Sequence, residues 1–133
     1  MGRRIIVDSN VLVALFKADD SCHKRAREIV QKLHNNGDMF WALNLIIQET
    51  ATVVSIKVGQ DESKDFYQKR NRVIDQEVPL NNELETLSWN IFLKQSKKGT
   101  SFIDCANLAL LEKYKLDGIL SFDEFYPKNV RVV

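Results

Sequence analysis

The chain has 133 residues, 44% hydrophobic and 28% charged. These are ordinary globular proportions, and they exclude a disordered chain, a collagen-like repeat and a coiled coil. Nineteen Lys and Arg against 18 Asp and Glu leave a net charge of +1, so bulk positive charge cannot hold a nucleic acid and any such binding must come from local clusters. The length suits one domain, residues 1–133. Cys22 and Cys105 are too few for a disulfide framework or a Cys-rich zinc site and read as buried free thiols. A reducing cytoplasm fits them. An acid at Asp8 interrupts the first residues, MGRRIIVDSN, and no stretch approaches the ~18 apolar residues of a membrane span.

In chain order, RIIV (4–7) reads as a short buried strand running into Asp8. A helix follows over VLVALF with Ser9 as its N-cap. A second helix is expected from Ser21 to Asn36, its apolar positions Ala26, Ile29, Val30 and Leu33 at helical spacing and Asn36-Gly37 ending it. MFWAL (39–43) is a second strand. Asn44 caps a helix to Val58, with Gly59 after it, and a polar helix covers Glu62 to Arg72. VIDQEVP is expected to hold a short extended piece before Pro79. Helices then run from Asn82 to Lys97, ending at Lys98-Gly99, and from Phe102 to Tyr114. Gly118–Phe122 is a third clear strand, and Asn129–Val133 adds an edge strand. Strands alternating with helices argue for an α/β fold: a three-layer α/β/α sandwich with a mainly parallel central sheet. In such sheets, ligand chemistry gathers at the carboxyl ends of the strands.

Four acids stand in apolar company. Asp8 follows the first strand, and reads either as a turn or cap residue or as a ligand. Glu49, in LIIQETATVV, falls between the azimuths of Val53 and Ile56, within the apolar stripe rather than on the polar face of Gln48, Thr52 and Ser55. Such a placement costs desolvation unless a positive group meets it. Asp104 and Asn107 are the only polar residues from Phe102 to Leu111 and share one helix face. Ser101-x-x-Asp104 is also a capping-box pattern, and the two roles are compatible at a helix N-terminus. Asp123 follows the strand GILSF, either as an exposed turn acid or as a member of a cluster.

In a parallel sheet these positions converge on one edge, where mutual repulsion would raise the pKa values of four carboxylates. A divalent cation removes that conflict. Oxygen-only ligands suit Mg²⁺ or Mn²⁺, and such a site suits hydrolysis of a phosphodiester. His23 and His34 lie on one polar helix as solvated residues. No nucleophilic triad, GxGxxG or P-loop is present.

The segments IIVDSNVLVALF, LIIQETATVV, SFIDCANLALLEKY and GILSFDEF together resemble the PIN-domain family, in order and over nearly the whole chain. They are most similar to its small prokaryotic members, the VapC-type toxins of toxin–antitoxin pairs. The resemblance implies a metal-dependent ribonuclease. Asp8, Asp104 and Asp123 would be the principal Mg²⁺ or Mn²⁺ ligands, with Glu49 completing the cluster and orienting the attacking water. Ser121 and Asn10 match polar positions that support the acids. Phe122 replaces a small polar residue common before the last acid, and Cys105 an Ala common after the third.

Local positive charge for RNA would come from Lys17, Lys97 and Lys98, with Lys57 and Lys94 as further candidates. Arg3 and Arg4 precede the first strand, on the far side from its carboxyl end. The resemblance also implies homodimerisation and an antitoxin partner. The aromatics Phe40, Trp41, Phe66, Trp89 and Phe92 serve the core or such an interface. The alternatives are a PIN-type RNA-processing nuclease and a non-catalytic PIN-like RNA-binding or scaffold module. An Asp-nucleophile phosphatase is disfavoured by Asn10, where a second Asp is wanted, and a receiver domain lacks its acidic pair and late Lys.

Overall fold

The computed structural model describes residues 2–132, so Val133, the end of the expected edge strand, lies outside them. The elements follow in chain order as β1 (Arg4–Val7), α1 (Ser9–Phe16), α2 (His23–Asn35), β2 (Met39–Leu43), α3 (Asn44–Lys57), α4 (Gln60–Lys69), β3 (Gln76–Val78), α5 (Asn82–Leu93), α6 (Phe102–Tyr114) and β4 (Gly118–Leu120). A short 3-10 turn, Arg70–Arg72, follows α4.

The strands form one parallel sheet in the order β3-β2-β1-β4. Ile6 of β1 lies opposite Trp41 on one side and Ile119 on the other. Ile5, Ile6 and Val7 have no exposed surface, as expected of a central parallel strand covered on both faces. The chain steps outward from β1 through β2 to β3 and then crosses back to β4. Right-handed crossovers therefore place α1 to α4 on one face and α5 with α6 on the other. The reversal between β1 and β4 opens a crevice at their carboxyl ends, the usual ligand position in such sheets.

Several boundaries differ from the sequence reading, each for a local reason. Ser9 does not cap α1; Asp8 does, accepting from the Ser9 N–H at 2.9 Å. Nor does Asn44 cap α3. It is the first helical residue, and its Oδ1 accepts instead from the Leu80 N–H at 2.9 Å, tying α3 to the approach to α5. Helix α5 ends at Leu93, because Lys94 to Gly99 are all exposed and offer no apolar side chain to bury. Strand β4 ends at Leu120, because Ser121 and Phe122 turn their polar atoms to Asp8 and Asn10. Cys22 is half-buried and precedes α2, while Cys105 is fully buried. His23 is not simply solvated: its Nδ1 lies 2.6 Å from the Ala14 carbonyl oxygen.

Near the C-terminus, in place of the expected edge strand, one parallel bridge joins Ile119 to Arg131, with the Ile119 N–H donating to Val130 O at 2.7 Å and the Val132 N–H to Ile119 O at 2.8 Å. Gly118 makes this approach feasible, since an added Cβ would stand 2.6 Å from Val132 Cγ2 and 2.9 Å from Val130 O. Gly118→Ala should therefore lower stability by about 1–3 kcal/mol, the usual cost of overpacking, read as a fall in the denaturation midpoint.

Candidate acidic active site

Asp8 is 3% exposed and sits where β1 ends and α1 begins. Burying a carboxylate is costly unless its oxygens are hydrogen-bonded. Oδ1 accepts from the Ser9 N–H at 2.9 Å and from Asn107 Nδ2 at 3.3 Å. Oδ2 accepts from Ser121 Oγ at 2.8 Å and from the Tyr126 hydroxyl at 3.3 Å. An ionised carboxylate has roughly four lone-pair sites, and these four donors fill them while the Tyr126 proton points to Asp8. Burial nonetheless pushes the Asp8 carboxyl above the usual range, and the charge of Glu49 adds to the rise.

Asp104 lies in the first turn of α6. The Ser101 hydroxyl accepts from the Asp104 N–H at 3.0 Å, so Ser101 caps the helix as the sequence suggested. The carboxylate is thereby free to face Asp8. Its Oδ1 lies 3.1 Å from the Tyr126 hydroxyl, so one phenol stands between the two acids. Tyr126 has a single proton and donates to one of them at a time; its own oxygen accepts from Asn107 Nδ2 at 3.0 Å. The Asp104 carboxyl is raised by desolvation first, then by the charges of Asp8 and Asp123. Burial and the neighbouring carboxylates likewise drive the Tyr126 phenol far above its ordinary value, so it is neutral at physiological pH.

Asp123 is exposed, on the loop after β4. Its N–H donates to Ser121 Oγ at 3.0 Å and its Oδ1 accepts from the Phe125 N–H at 3.0 Å. Ser121 thus joins the strands' two ends, and Asn10 Nδ2 donates to its Oγ at 3.0 Å. Glu49 is half-buried on α3. The expected apolar stripe through Val53 and Ile56 is not the core face, since Ile56 is 79% exposed. The buried positions are Ile46, Ile47, Thr50 and Val54. Thr50 is tolerated there because its hydroxyl donates to Ile46 O at 2.7 Å.

The donor set is all oxygen, as a hard divalent cation requires, and none of the four acids forms an ion pair among the described residues. Also among the described residues, no group of three or more His, Cys, Asp or Glu stands close enough together to hold a metal ion. The chemistry of the quartet fits such an ion, whereas the side chains of Asp8, Asp104 and Asp123 already accept hydrogen bonds of their own.

The expected RNA-binding lysines divide. Lys17 is committed to Asp19 at 2.9 Å. Lys57 closes α3, about 12 Å beyond Glu49 along the helix. Lys94 follows α5 and is exposed. Lys97 and Lys98 do line a small cleft of about 90 Å³ with Asp104, Asp123 and Phe125. Arg3 and Arg4 lie at the opposite edge of the sheet, as expected, bonded to Asp38 and to the segment Tyr114–Asp117. Two roomier depressions, about 770 and 710 Å³, border α2 and contain none of the four acids. Sequence reasoning missed Tyr126. The only available signal was a second aromatic after Asp123, which spacing alone does not aim at a carboxylate.

Asp8→Asn keeps the shape and removes the buried charge. A carboxyl raised by folding stabilises the protein below its unfolded pKa of about 3.9, and that stability is lost as pH rises through the folded value. In EDTA the variant should therefore gain on wild type as pH rises from about 4 to 8, because only the wild type loses stability over that range. Tyr126→Phe should lose about 1–2 kcal/mol by removing a hydroxyl bonded to charged partners. Thermal denaturation followed by circular dichroism checks both.

Comparison with known proteins places the fold. No curated protein matches the sequence significantly. Ten chains of solved structure match significantly. Among them is the crystal structure of Mycobacterium tuberculosis VapC20, described as a sarcin-ricin loop cleaving toxin, with a TM-score of 0.80 and 20% identity over 91% of each chain. At that identity the likeness is one of fold. The family model for the PIN domain matches residues 5–129, nearly the whole chain, and the chain belongs to the PIN-domain family.

Proposed function

We propose that the protein is a divalent-metal-dependent endoribonuclease, acting as the toxin of a toxin–antitoxin pair. The observation that carries this reading is the meeting of Asp8 and Asp104 at one hydroxyl, with none of Asp8, Glu49, Asp104 and Asp123 in an ion pair among the described residues. PIN domains are generally nucleases, and the fold of VapC20, an RNA-cleaving toxin by its description, supports the RNA substrate. On this reading the domain spans residues 1–133, works in the cytoplasm as a homodimer, and is held inactive by an antitoxin. Among the described residues no helix is long and apolar enough to cross a membrane.

Asp8, Asp104 and Asp123 would hold Mg²⁺ or Mn²⁺, with Glu49 completing the acidic set. The ion, when bound, supplies charge neutralisation at the phosphate and a water of lowered pKa. The chain's own residues do the remaining work. Ser121 fixes the Asp8 carboxylate and the backbone of Asp123 at once, and Asn10 fixes Ser121. Asn107 orients both Asp8 and the Tyr126 phenol. Glu49, half-buried on α3, would orient the attacking water.

A second reading, a non-catalytic PIN module, draws on the four donors around Asp8 and on the lack, among the described residues, of a ready three-acid cage. Cleavage of end-labelled total tRNA and an rRNA fragment in Mn²⁺, Mg²⁺ or EDTA separates the two. The nuclease reading expects metal-dependent cutting, reduced by about 10²-fold or more in Asp104→Asn and in Asp8→Asn without loss of fold. Wild-type cutting by either variant overturns that acid's role. No cutting in any lane, together with no calorimetric Mn²⁺ binding, favours the module.

A further inference from the structure

Arg25 lies in the first turn of α2, is exposed, and forms no ion pair among the described residues. Its guanidinium stands 4.8 Å from the centroid of the Phe122 ring. Phe122 is itself fixed to the acidic centre. Its N–H donates to Asn10 Oδ1 at 3.1 Å, and it stands between Ser121, which bonds Asp8, and Asp123. A cation is thus held at the rim of a carboxylate cluster by a ring rather than by a carboxylate. An arginine on an aromatic face keeps its in-plane N–H donors and full charge for another partner. An ion pair with Asp123 would have cancelled both.

A second group of cations lies near Asp123, on the loop before α6. The Phe125 N–H donates to Asp123 Oδ1, and Phe125 shares the small cleft with Lys97, Lys98 and Asp104. Positive charge therefore flanks the acids on both sides of one short loop, residues 121–125. A polyanion crossing the centre meets a cation before and after the acids, which is the charge pattern a cleavable backbone needs.

We propose that Arg25, seated on Phe122, binds a backbone phosphate of single-stranded RNA whose path runs from the Lys97–Lys98 loop across Asp104 and Asp123. The inference rests on the nuclease reading and adds to it a path and a phosphate-binding residue. It also assigns Phe122 a role, as the platform that positions Arg25.

The test uses Asp104→Asn as a non-cleaving parent in Mn²⁺ buffer, with a short end-labelled single-stranded RNA of mixed sequence followed by fluorescence anisotropy over a salt series. Adding Arg25→Gln should weaken binding about three- to tenfold and flatten the plot of log affinity against log salt by about 0.7, the loss of one phosphate contact. Arg25→Lys should keep the slope, because it keeps the charge. Phe122→Leu should weaken binding in the parent but add nothing to Arg25→Gln, because it acts through that residue. Unchanged affinity and slope in Arg25→Gln overturn the proposal, as does a slope lost equally in Arg25→Lys. Failure of the parent itself to bind RNA at low salt overturns the nuclease reading, before Arg25 is touched.

Discussion

A single buried carboxylate, Asp8, organises the carboxyl edge of the sheet. It closes the central strand, caps the first helix through the Ser9 N–H, and receives donors from the end of β4, from α6 and from the C-terminal loop. Each donor offsets part of the cost of burying charge, and each is thereby held in place. The strand order makes this convergence feasible. β4 returns beside β1 rather than beside β3, so Ser121 arrives at Asp8 across more than a hundred residues of chain.

The same saturation gives the acidic centre a double character. Its charge is concentrated and, among the described residues, without an ion-pair partner, the condition a hard cation relieves, yet Asp8 has no lone pair to spare while Tyr126 donates to it. A ligand role for Asp8 requires one donor to withdraw, and the two at 3.3 Å, from Asn107 and Tyr126, are the weakest held. Tyr126 can withdraw to Asp104 without losing a partner, since it already lies 3.1 Å from that acid. Asn107 is more constrained, for its Nδ2 donates to both Asp8 Oδ1 and the Tyr126 hydroxyl. The phenol, rather than the amide, is the group able to change sides.

Positive charge near the centre is likewise a matter of contacts across the fold. Lys17 is prominent in the sequence, but Asp19 two residues on neutralises it. Arg25 is inconspicuous on a helix of mixed charge, and the loop after β4 brings Phe122 beneath it. The replacement of a small polar residue by Phe before the last acid acquires a physical meaning in that contact.

Composition, hydrophobic periodicity and the position of acids after strands determined the α/β class, the existence of the main elements and three of the four acids' places at the sheet's carboxyl edge, because these are local properties of a chain with period-2 and period-3.6 patterns. Boundaries were legible only where a local cap set them. Ser101 was readable, whereas Asn44 was drawn off to Leu80 and β4 was cut short by Asp8 and Asn10. Glu49 was read onto a buried stripe that the packing of α3 places elsewhere, since Thr50 satisfies its own hydroxyl and turns inward. The Tyr126 bridge, the Asn107 support and the Arg25–Phe122 contact were decided by tertiary structure alone. Each joins residues from different elements, and which donor reaches which carboxylate depends on the order of strands, a non-local quantity that no window of sequence contains.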